Sequence, residues 1–318
     1  MKLVCWNIQW GRGCDGRVDL GRIVSEARRL ADFDVLCLQE VSRGFDTRQP
    51  ADGDAEGGAG LSGRTGSDRS DSVGLPGGTG SDQFAELASL LPGYTVLDGV
   101  AVDLPAAVAG APRRHFGNAI ITRLPVRQVW RHSLPWPADP GVPSMPRIAL
   151  EAVIDSGKGL VRVITTHLEY YSEQQRLAQV ESLRVMHAEA CAHARRPAPL
   201  EKPGTPFAAT NRPSAAILCG DFNSAAGDSA YTRMVAPMPS TAGAPDFYDA
   251  WLLKHPGPVA GPERAPTTGV YDHEQWADGP FPCDFFFVTA DLAERVARCE
   301  VDLQSDASEH QPMLLELH

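Results

Sequence analysis

Leu3-Val4-Cys5-Trp6-Asn7-Ile8, then Leu20, Ile23, Ala27 and Leu30 at helical spacing, then Val35-Leu36-Cys37-Leu38-Gln39-Glu40, is the stretch that decides the fold. The two apolar runs have the length of buried strands. Between them a glycine-rich turn runs from Gly11 to Gly16, and Asp19 stands where a helix needs a side-chain oxygen for its first free N–H groups. Strand, helix and strand within the first forty residues indicate a layered α/β fold.

The pattern repeats outward. Strands are expected at Gly117 to Thr122, Ile148 to Ile154, Leu160 to Thr166, Ala215 to Cys219, Asp284 to Thr289 and Pro312 to Leu317. Ser172 to His193 is the clearest helix: Ser172 with Gln175 fits a capping box, and Leu177, Val180, Leu183 and Met186 form an apolar stripe. A shorter helix begins after Asp82 and carries Phe84, Leu87, Ala88 and Leu91. From Gly44 to Ser81 the chain is Gly, Ser, Asp and Arg with hardly an apolar residue, and reads as a flexible insertion. A substrate-gating loop is the other reading of that segment. Strands arrive from the first residues to the last and no linker splits them, so residues 1–318 read as one domain with inserted loops.

Composition sets limits on function. A hydrophobic content of 43% supports a sizeable core. The formal net charge of −11 gives no global field to attract polyanions, although a local basic cleft or a bound metal can reverse the sign at one spot. The 7 cysteines include no CxxC pair, and Cys5, Cys37 and Cys219 lie in apolar runs. They read as buried thiols of a reduced compartment and not as zinc ligands. No apolar run reaches the roughly 18 residues of a membrane span, and the first residues lack a secretory pattern. The expectation is a cytoplasmic protein with no membrane and no obligate protein partner.

Chemistry gathers where strands end. The first run ends at Asn7, the second at Glu40, the Leu160 strand at His167 and Glu169. The Ala215 strand runs into Gly220-Asp221-Phe222-Asn223, and Ser308-Glu309-His310-Gln311 precedes the last strand. Alone, each has an ordinary explanation as a turn-former or solvated end. Together they matter because strand ends in α/β sheets converge on one rim. Their types suit metal-assisted attack of water on phosphorus. Glu40 offers a carboxylate to a hard cation and Asn7 a neutral oxygen. Asp221 and His310 are candidates for the base or water-orienting group, while His167 and Asn223 can meet charge on the phosphoryl oxygens. Glu309 is the nearest carboxylate to orient His310.

With these residues in place, the sequence resembles the endonuclease/exonuclease/phosphatase superfamily, of deoxyribonuclease-I-like fold. The matching pieces are Trp6-Asn7-Ile8, Leu38-Gln39-Glu40, Gly117-Asn118-Ala119-Ile120, Thr166-His167-Leu168-Glu169, Gly220-Asp221-Phe222-Asn223 and Ser308-Glu309-His310-Gln311-Pro312, in the family's order. The resemblance implies a four-layer sandwich, two mixed β-sheets flanked by helices, with the active site at one edge. It implies a metal site at Asn7 and Glu40 for Mg²⁺, with Mn²⁺ as substitute, and catalytic roles for His167, Asp221, Asn223, Glu309 and His310. Asp284, before an aromatic strand, matches a residue that orients a catalytic His, with a structural role as the other reading. Asn118, Glu169, Tyr171 and Arg176 are carried over as substrate contacts. One motif departs: the family's Ser-Asp-His is Ser308-Glu309-His310 here. Glu309 compensating, Asp306 substituting, and a weakened site are the alternatives, in that order.

The implied activity is Mg²⁺-dependent hydrolysis of a phosphate ester, as a phosphodiesterase or nuclease, with a phosphomonoesterase of a small metabolite or inositol phosphate as alternative. Residues placed to face substrate include Arg113, Arg114, His115 and Phe116, Tyr170 with Tyr171, and a loop from Thr267 to Pro282 with Tyr271, His273 and Trp276. No membrane-docking segment favours a lipid, so nucleic acid or a small phosphodiester ranks above it. A non-catalytic binding module would have lost Glu40, His167, Asp221 or His310, and all are present.

Overall fold

In a computed structural model of the chain, residues 1–45, 81–106, 109–196, 202, 204–208, 211–273 and 275–318 are described. The expected insertion at 44–81 falls almost wholly outside them. The elements in order are β1 (Lys2–Asn7), α1 (Leu20–Leu30), β2 (Val35–Arg43), α2 (Gln83–Leu90), β3 (Thr95–Leu104), β4 (Arg114–Thr122), β5 (Val126–Ser133), β6 (Ile148–Asp155) and β7 (Leu160–His167). They continue with α3 (Glu173–Arg195), β8 (Ala216–Asp221), α4 (Ser229–Val235), β9 (Phe247–Asp249), α5 (Ala250–Lys254), β10 (Asp284–Thr289), α6 (Ala290–Ala293), β11 (Val296–Val301) and β12 (Met313–Leu317).

The strands form two mixed sheets of six, ordered β11-β12-β1-β2-β4-β3 and β5-β6-β7-β8-β10-β9. Each contains one parallel pair, β1 with β2 and β7 with β8, each joined by a helix. Strand alternation sorts side chains into layers. Leu3, Cys5, Val35 and Cys37 pack against Ala152, Val163, Ile217 and Phe286 between the sheets. Val4, Trp6, Leu36 and Leu38 turn the other way, onto Ile23, Val24 and Ala27 of α1 and Phe84 and Leu87 of α2. On the far side, Ile164, Leu218 and Phe287 meet Val180, Leu183 and Met186 of α3 and Ala230 and Met234 of α4. The result is the expected sandwich of helices, sheet, sheet and helices.

Helix starts follow their sequence signals. Asp19 and Asp82 accept from the N–H groups of Arg22 and Ala85; each such cap is worth about 1 kcal/mol. Ser172 accepts from the Gln175 N–H, but the return half of the capping box is absent. Gln175 instead donates to the Pro137 carbonyl and Ser144, tying the helix start to the loop before β6. Among the described residues, no helix is long and apolar enough to cross a membrane.

Candidate active site

Because β1 and β2 run parallel, as do β7 and β8, their C-terminal ends lie side by side. Asn7 stands opposite Gln39, and His167 opposite Asp221. β6 is antiparallel to β7, so its start reaches the same rim. The sheets are pinned beneath that rim by polar contacts in an otherwise apolar interior: Gln39 donates to Thr165 at 2.8 Å, and Asn118 to the Ile148 carbonyl at 3.1 Å. Asn118 is buried below the cleft, opposite the point where β2 bulges. Leu38 pairs with Ala119 and Val41 with Gly117, so Gln39 and Glu40 face one residue. A bulge re-aims side chains, and Glu40, at φ 61°, lines the cleft.

The cleft holds about 340 Å³. Among the described residues, the non-glycine positions with left-handed backbone are Gln9, Trp10, Glu40 and Asn223, and all four line it. Strain of this kind, about 1–3 kcal/mol each, persists where surrounding structure over-determines it. Gly220 has φ 140°, and a Cβ there would meet the Thr166 carbonyl oxygen at 1.8 Å. Only glycine lets β8 pass β7 closely enough to set Asp221 beside His167.

Asp221 is the hub. Its Oδ1 accepts from the Asn223 N–H at 2.8 Å, which closes the turn after β8. Its Oδ2 faces Asn7 Nδ2 at 3.0 Å, His167 Nε2 at 3.5 Å and His310 Nε2 at 3.7 Å. Asn7 Nδ2 also donates to Glu40 at 3.0 Å, while Asn7 Oδ1 accepts from the Gln9 N–H. Asn7 therefore clamps two carboxylates together through its amino group, where the sequence reading expected its oxygen to face a cation. Asn223 Nδ2 reaches His167 Nε2 at 3.0 Å and the Leu168 carbonyl at 2.9 Å. Burial first, and then the Arg147 guanidinium, lowers the His167 pKa to about 3. The ring is neutral, and with Nε2 accepting from Asn223 its proton sits on Nδ1.

His310 is held the opposite way. Burial disfavours its cation, but Asp284 and then Asp221 outweigh that and raise its pKa well above the ordinary value. Asp284 Oδ2 lies 2.8 Å from His310 Nδ1, so Asp284 is the orienting carboxylate. Glu309, expected in that role from sequence adjacency, is 4.0 Å from Nε2 and lines the cleft; Asp306 is exposed. Further ties fix the segment: Ser308 Oγ donates to the Asn7 carbonyl at 2.8 Å, and Trp6 Nε1 to the His310 carbonyl at 2.8 Å.

At two carboxylates of the cleft, Glu40 and Glu309, burial outweighs the neighbours that favour ionisation. Burial raises Glu40 to about 7 and Glu309 to about 8, and Glu40 adds to the latter shift. Glu309 Oε2 is buried with no hydrogen-bond partner. Two oxygen donors of like charge, each made reluctant to ionise, fit a hard divalent cation.

The carried-over substrate contacts divide. Glu169 and Tyr171 line the cleft; Glu169 accepts from the Tyr171 N–H and pairs with Arg147. Arg176 does not line it, and its guanidinium donates to the Glu169 and Tyr170 carbonyls. Of the 113–116 group only Phe116 reaches the cleft, since Arg113 and His115 pair with Asp103 and Arg114 donates to the Pro105 carbonyl. Trp276 lines the cleft, whereas Tyr271 donates to the Leu303 carbonyl. Sequence reading missed Arg147, a charge set at the start of a buried strand. The rule applied to strand ends would have found it if extended to the starts of antiparallel strands.

No curated protein matches the chain. Among solved structures it is similar to an endonuclease/exonuclease/phosphatase from Beutenbergia cavernae, at 25% identity and a TM-score of 0.63, covering 100% of this chain and 71% of that one. It is also similar to the mannosyl-6-phosphatase of Bacteroides thetaiotaomicron, at 15% identity and a TM-score of 0.58, over 100% and 99% of the two chains. A 3′ phosphatase from Neisseria bound to a product DNA hairpin matches at 18% identity and a TM-score of 0.53, over 100% and 99%. Residues 4–306 match the model of the Endonuclease/Exonuclease/phosphatase family. The chain belongs to that family of phosphate-ester hydrolases.

Proposed function

We propose that the protein is an Mg²⁺-dependent phosphate-ester hydrolase, with Mn²⁺ able to substitute, acting by attack of water on phosphorus. The observation that carries this reading is the convergence on Asp221 Oδ2 of Asn7, His167 and His310, beside two carboxylates whose ionisation burial opposes more strongly than their neighbours favour it. Glu40 and Glu309 would hold the cation. When bound, it supplies positive charge that steadies the phosphoryl oxygens and lowers the cost of ionising both carboxylates.

The chain's own groups then divide the work. Asp221 takes the proton of the attacking water through Oδ2, the oxygen its turn leaves free of backbone contacts. His310, kept cationic by Asp284, donates toward the phosphoryl oxygens, where negative charge grows. Neutral His167 and Asn223 fix the near side of the site, and Asn7 keeps Glu40 in register with Asp221. A general base at such a position contributes roughly 10²–10⁴-fold.

The test is turnover of bis-p-nitrophenyl phosphate and p-nitrophenyl phosphate with Mg²⁺ or Mn²⁺, before and after EDTA. Metal-dependent release that EDTA abolishes is expected, and the ratio of the two rates separates a diesterase from a monoesterase. No metal-dependent turnover of either ester, of oligonucleotides or of phosphomonoesters would sink the proposal.

A further inference from the structure

The hydrolase reading uses only the floor of the cleft. Its upper lining is largely aromatic, with Trp10, Phe45, Phe116, Tyr170, Tyr171 and Trp276. Three of these rings brace one another into a wall. Tyr171 meets Tyr170 edge-on at 4.8 Å between centroids, and Tyr170 meets Trp276 edge-on at 6.2 Å. Phe281 backs Trp276 at 5.2 Å. Rings already held in place offer contact area at little cost in ordering.

Positive charge on the lining is confined, among the described residues, to Arg147 and His310. Among the described residues Arg147 is the only Lys or Arg lining the cleft. Its side chain is 7% exposed; Nε pairs with Glu169 at 3.3 Å and Nη1 has no partner. The indole N–H of Trp276 is likewise buried without a partner. An unpaired buried donor costs about 1–3 kcal/mol, a cost that a ligand acceptor removes. Of the nearby basic side chains, Arg43 pairs with Asp82 and Arg113 with Asp103, while Arg114 lies over Phe45 and donates to the Pro105 carbonyl, and Arg176 donates to the Glu169 and Tyr170 carbonyls. A nucleic-acid strand is held by a row of cations along its backbone, and a polyphosphate calls for several. Arg147 together with His310 suits one phosphoryl group, in a cleft of small-molecule size.

Resting on the hydrolase reading, we propose that the substrate is a small ester of a single phosphoryl group whose alcohol bears an aromatic ring. The ring lies against the Tyr170–Trp276 wall, Arg147 takes a non-bridging phosphoryl oxygen, and the Trp276 N–H meets an acceptor of the alcohol part. Water adds to phosphorus and gives a proton to Asp221, the bond from phosphorus to the alcohol oxygen breaks, the departing alkoxide takes up a proton from solvent, and Asp221 returns its proton to solvent.

The experiment measures kcat/KM with Mg²⁺ for benzyl, cyclohexylmethyl and n-butyl phosphate, chosen for leaving alcohols of similar acidity. An oligonucleotide, an inositol polyphosphate and bis-p-nitrophenyl phosphate complete the panel. Benzyl phosphate is expected to exceed n-butyl phosphate about tenfold, the scale of one ring contact. That ratio should fall toward one in Trp276→Ala and in Tyr170→Leu, the second variant guarding against a local collapse in the first. Arg147→Gln should raise KM for every phosphate ester. Faster turnover of the oligonucleotide or polyphosphate, or a ring preference unchanged in both wall variants with cooperative melting intact, overturns the proposal. Turnover of bis-p-nitrophenyl phosphate without ring preference overturns it while leaving the hydrolase reading standing; no turnover of any compound overturns both.

Discussion

Glu151 and Glu309 are both glutamates almost sealed from water, and their surroundings push them in opposite directions. Glu151, mid-strand on β6, is 0% exposed. Arg212 grips it with two hydrogen bonds at 3.1 and 3.0 Å, His132 adds a contact at 3.0 Å, and Arg162 lies at 3.6 Å. Burial alone would raise its pKa, but His132 and Arg212 outweigh it and hold the carboxylate at about 2. Glu309, on the cleft, has a buried oxygen without a partner and is pushed to about 8. Burial of charge is common to both regions, so it does not mark function. Charge balance separates them: the Glu151 carboxylate is matched by Arg212, Arg162 and His132 of the chain itself, although Arg162 Nη1 lacks a hydrogen-bond partner, whereas burial prevails over the neighbours of Glu309.

The sharpest way to break this contrast is Asp221→Ala. It should lower kcat roughly 10²–10⁴-fold while circular dichroism and melting stay native; normal turnover would remove Asp221 from the reaction. Glu151→Ala should do the reverse. It strands Arg162 and Arg212 in the interior and costs about 3–5 kcal/mol of stability, with turnover per folded molecule retained. A chemical melt no different from that of the unaltered protein would show that the β6 cluster is not a balanced unit.

Smaller effects sharpen the boundary. Asp284→Asn should cost about 10- to 100-fold in turnover. It also withdraws the charge that keeps His310 protonated, so the alkaline limb of the pH–rate profile should move to lower pH. An unmoved limb would show that Asp284 is only structural. The smallest effect is one of stability. Glu40 and Glu309 have folded-state pKa values raised from about 4.5 to about 7 and about 8. Their contribution is therefore present in full below about pH 4.5 and is lost as pH rises through 7 to 8. Metal-free protein should melt on the order of a few degrees lower at pH 8 than at pH 6, and Mg²⁺ should close the gap. Glu151 contributes with the opposite sign, stabilising above the ordinary glutamate value and failing only in strong acid. A metal-free melt flat across pH 6–8 would mean that the rim carboxylates are not destabilised by burial.

The sequence announced the central strands and was silent about the edges. β1, β2, β4, β6, β7, β8, β10 and β12 are all foreseen near their observed bounds, whereas β3, β5, β9 and β11 are not. Those four are the outer strands of the two sheets. A strand buried on both faces writes a continuous apolar run, whereas an edge strand carries polar residues and little periodicity. In β5, for example, Val126-Arg127-Gln128-Val129-Trp130-Arg131-His132-Ser133 is half exposed. At the site, strand-end position was legible and orientation was not. Nothing in Asn7 says which way its amide turns, and Glu309 reads as the partner of His310 until β10 brings Asp284 to Nδ1. The inter-sheet pins through Gln39 and Asn118 were equally invisible, because each depends on pairing across more than one strand.

The order of the strands has a consequence for how the molecule comes into being. The second sheet is contiguous in the chain, β5 to β10, while the first is opened after β4 and closed only by β11 and β12. β12 must enter between β11 and β1, and with it come His310 and the bond from Trp6 across 304 residues. During synthesis, then, Asn7, Glu40, His167 and Asp221 are all made before His310, and the proposed centre is incomplete until β12 seats. Contacts of such separation are slow to form. In refolding, recovery of turnover should trail the return of secondary structure, and the two arriving together would show that closure of the first sheet is not the late step.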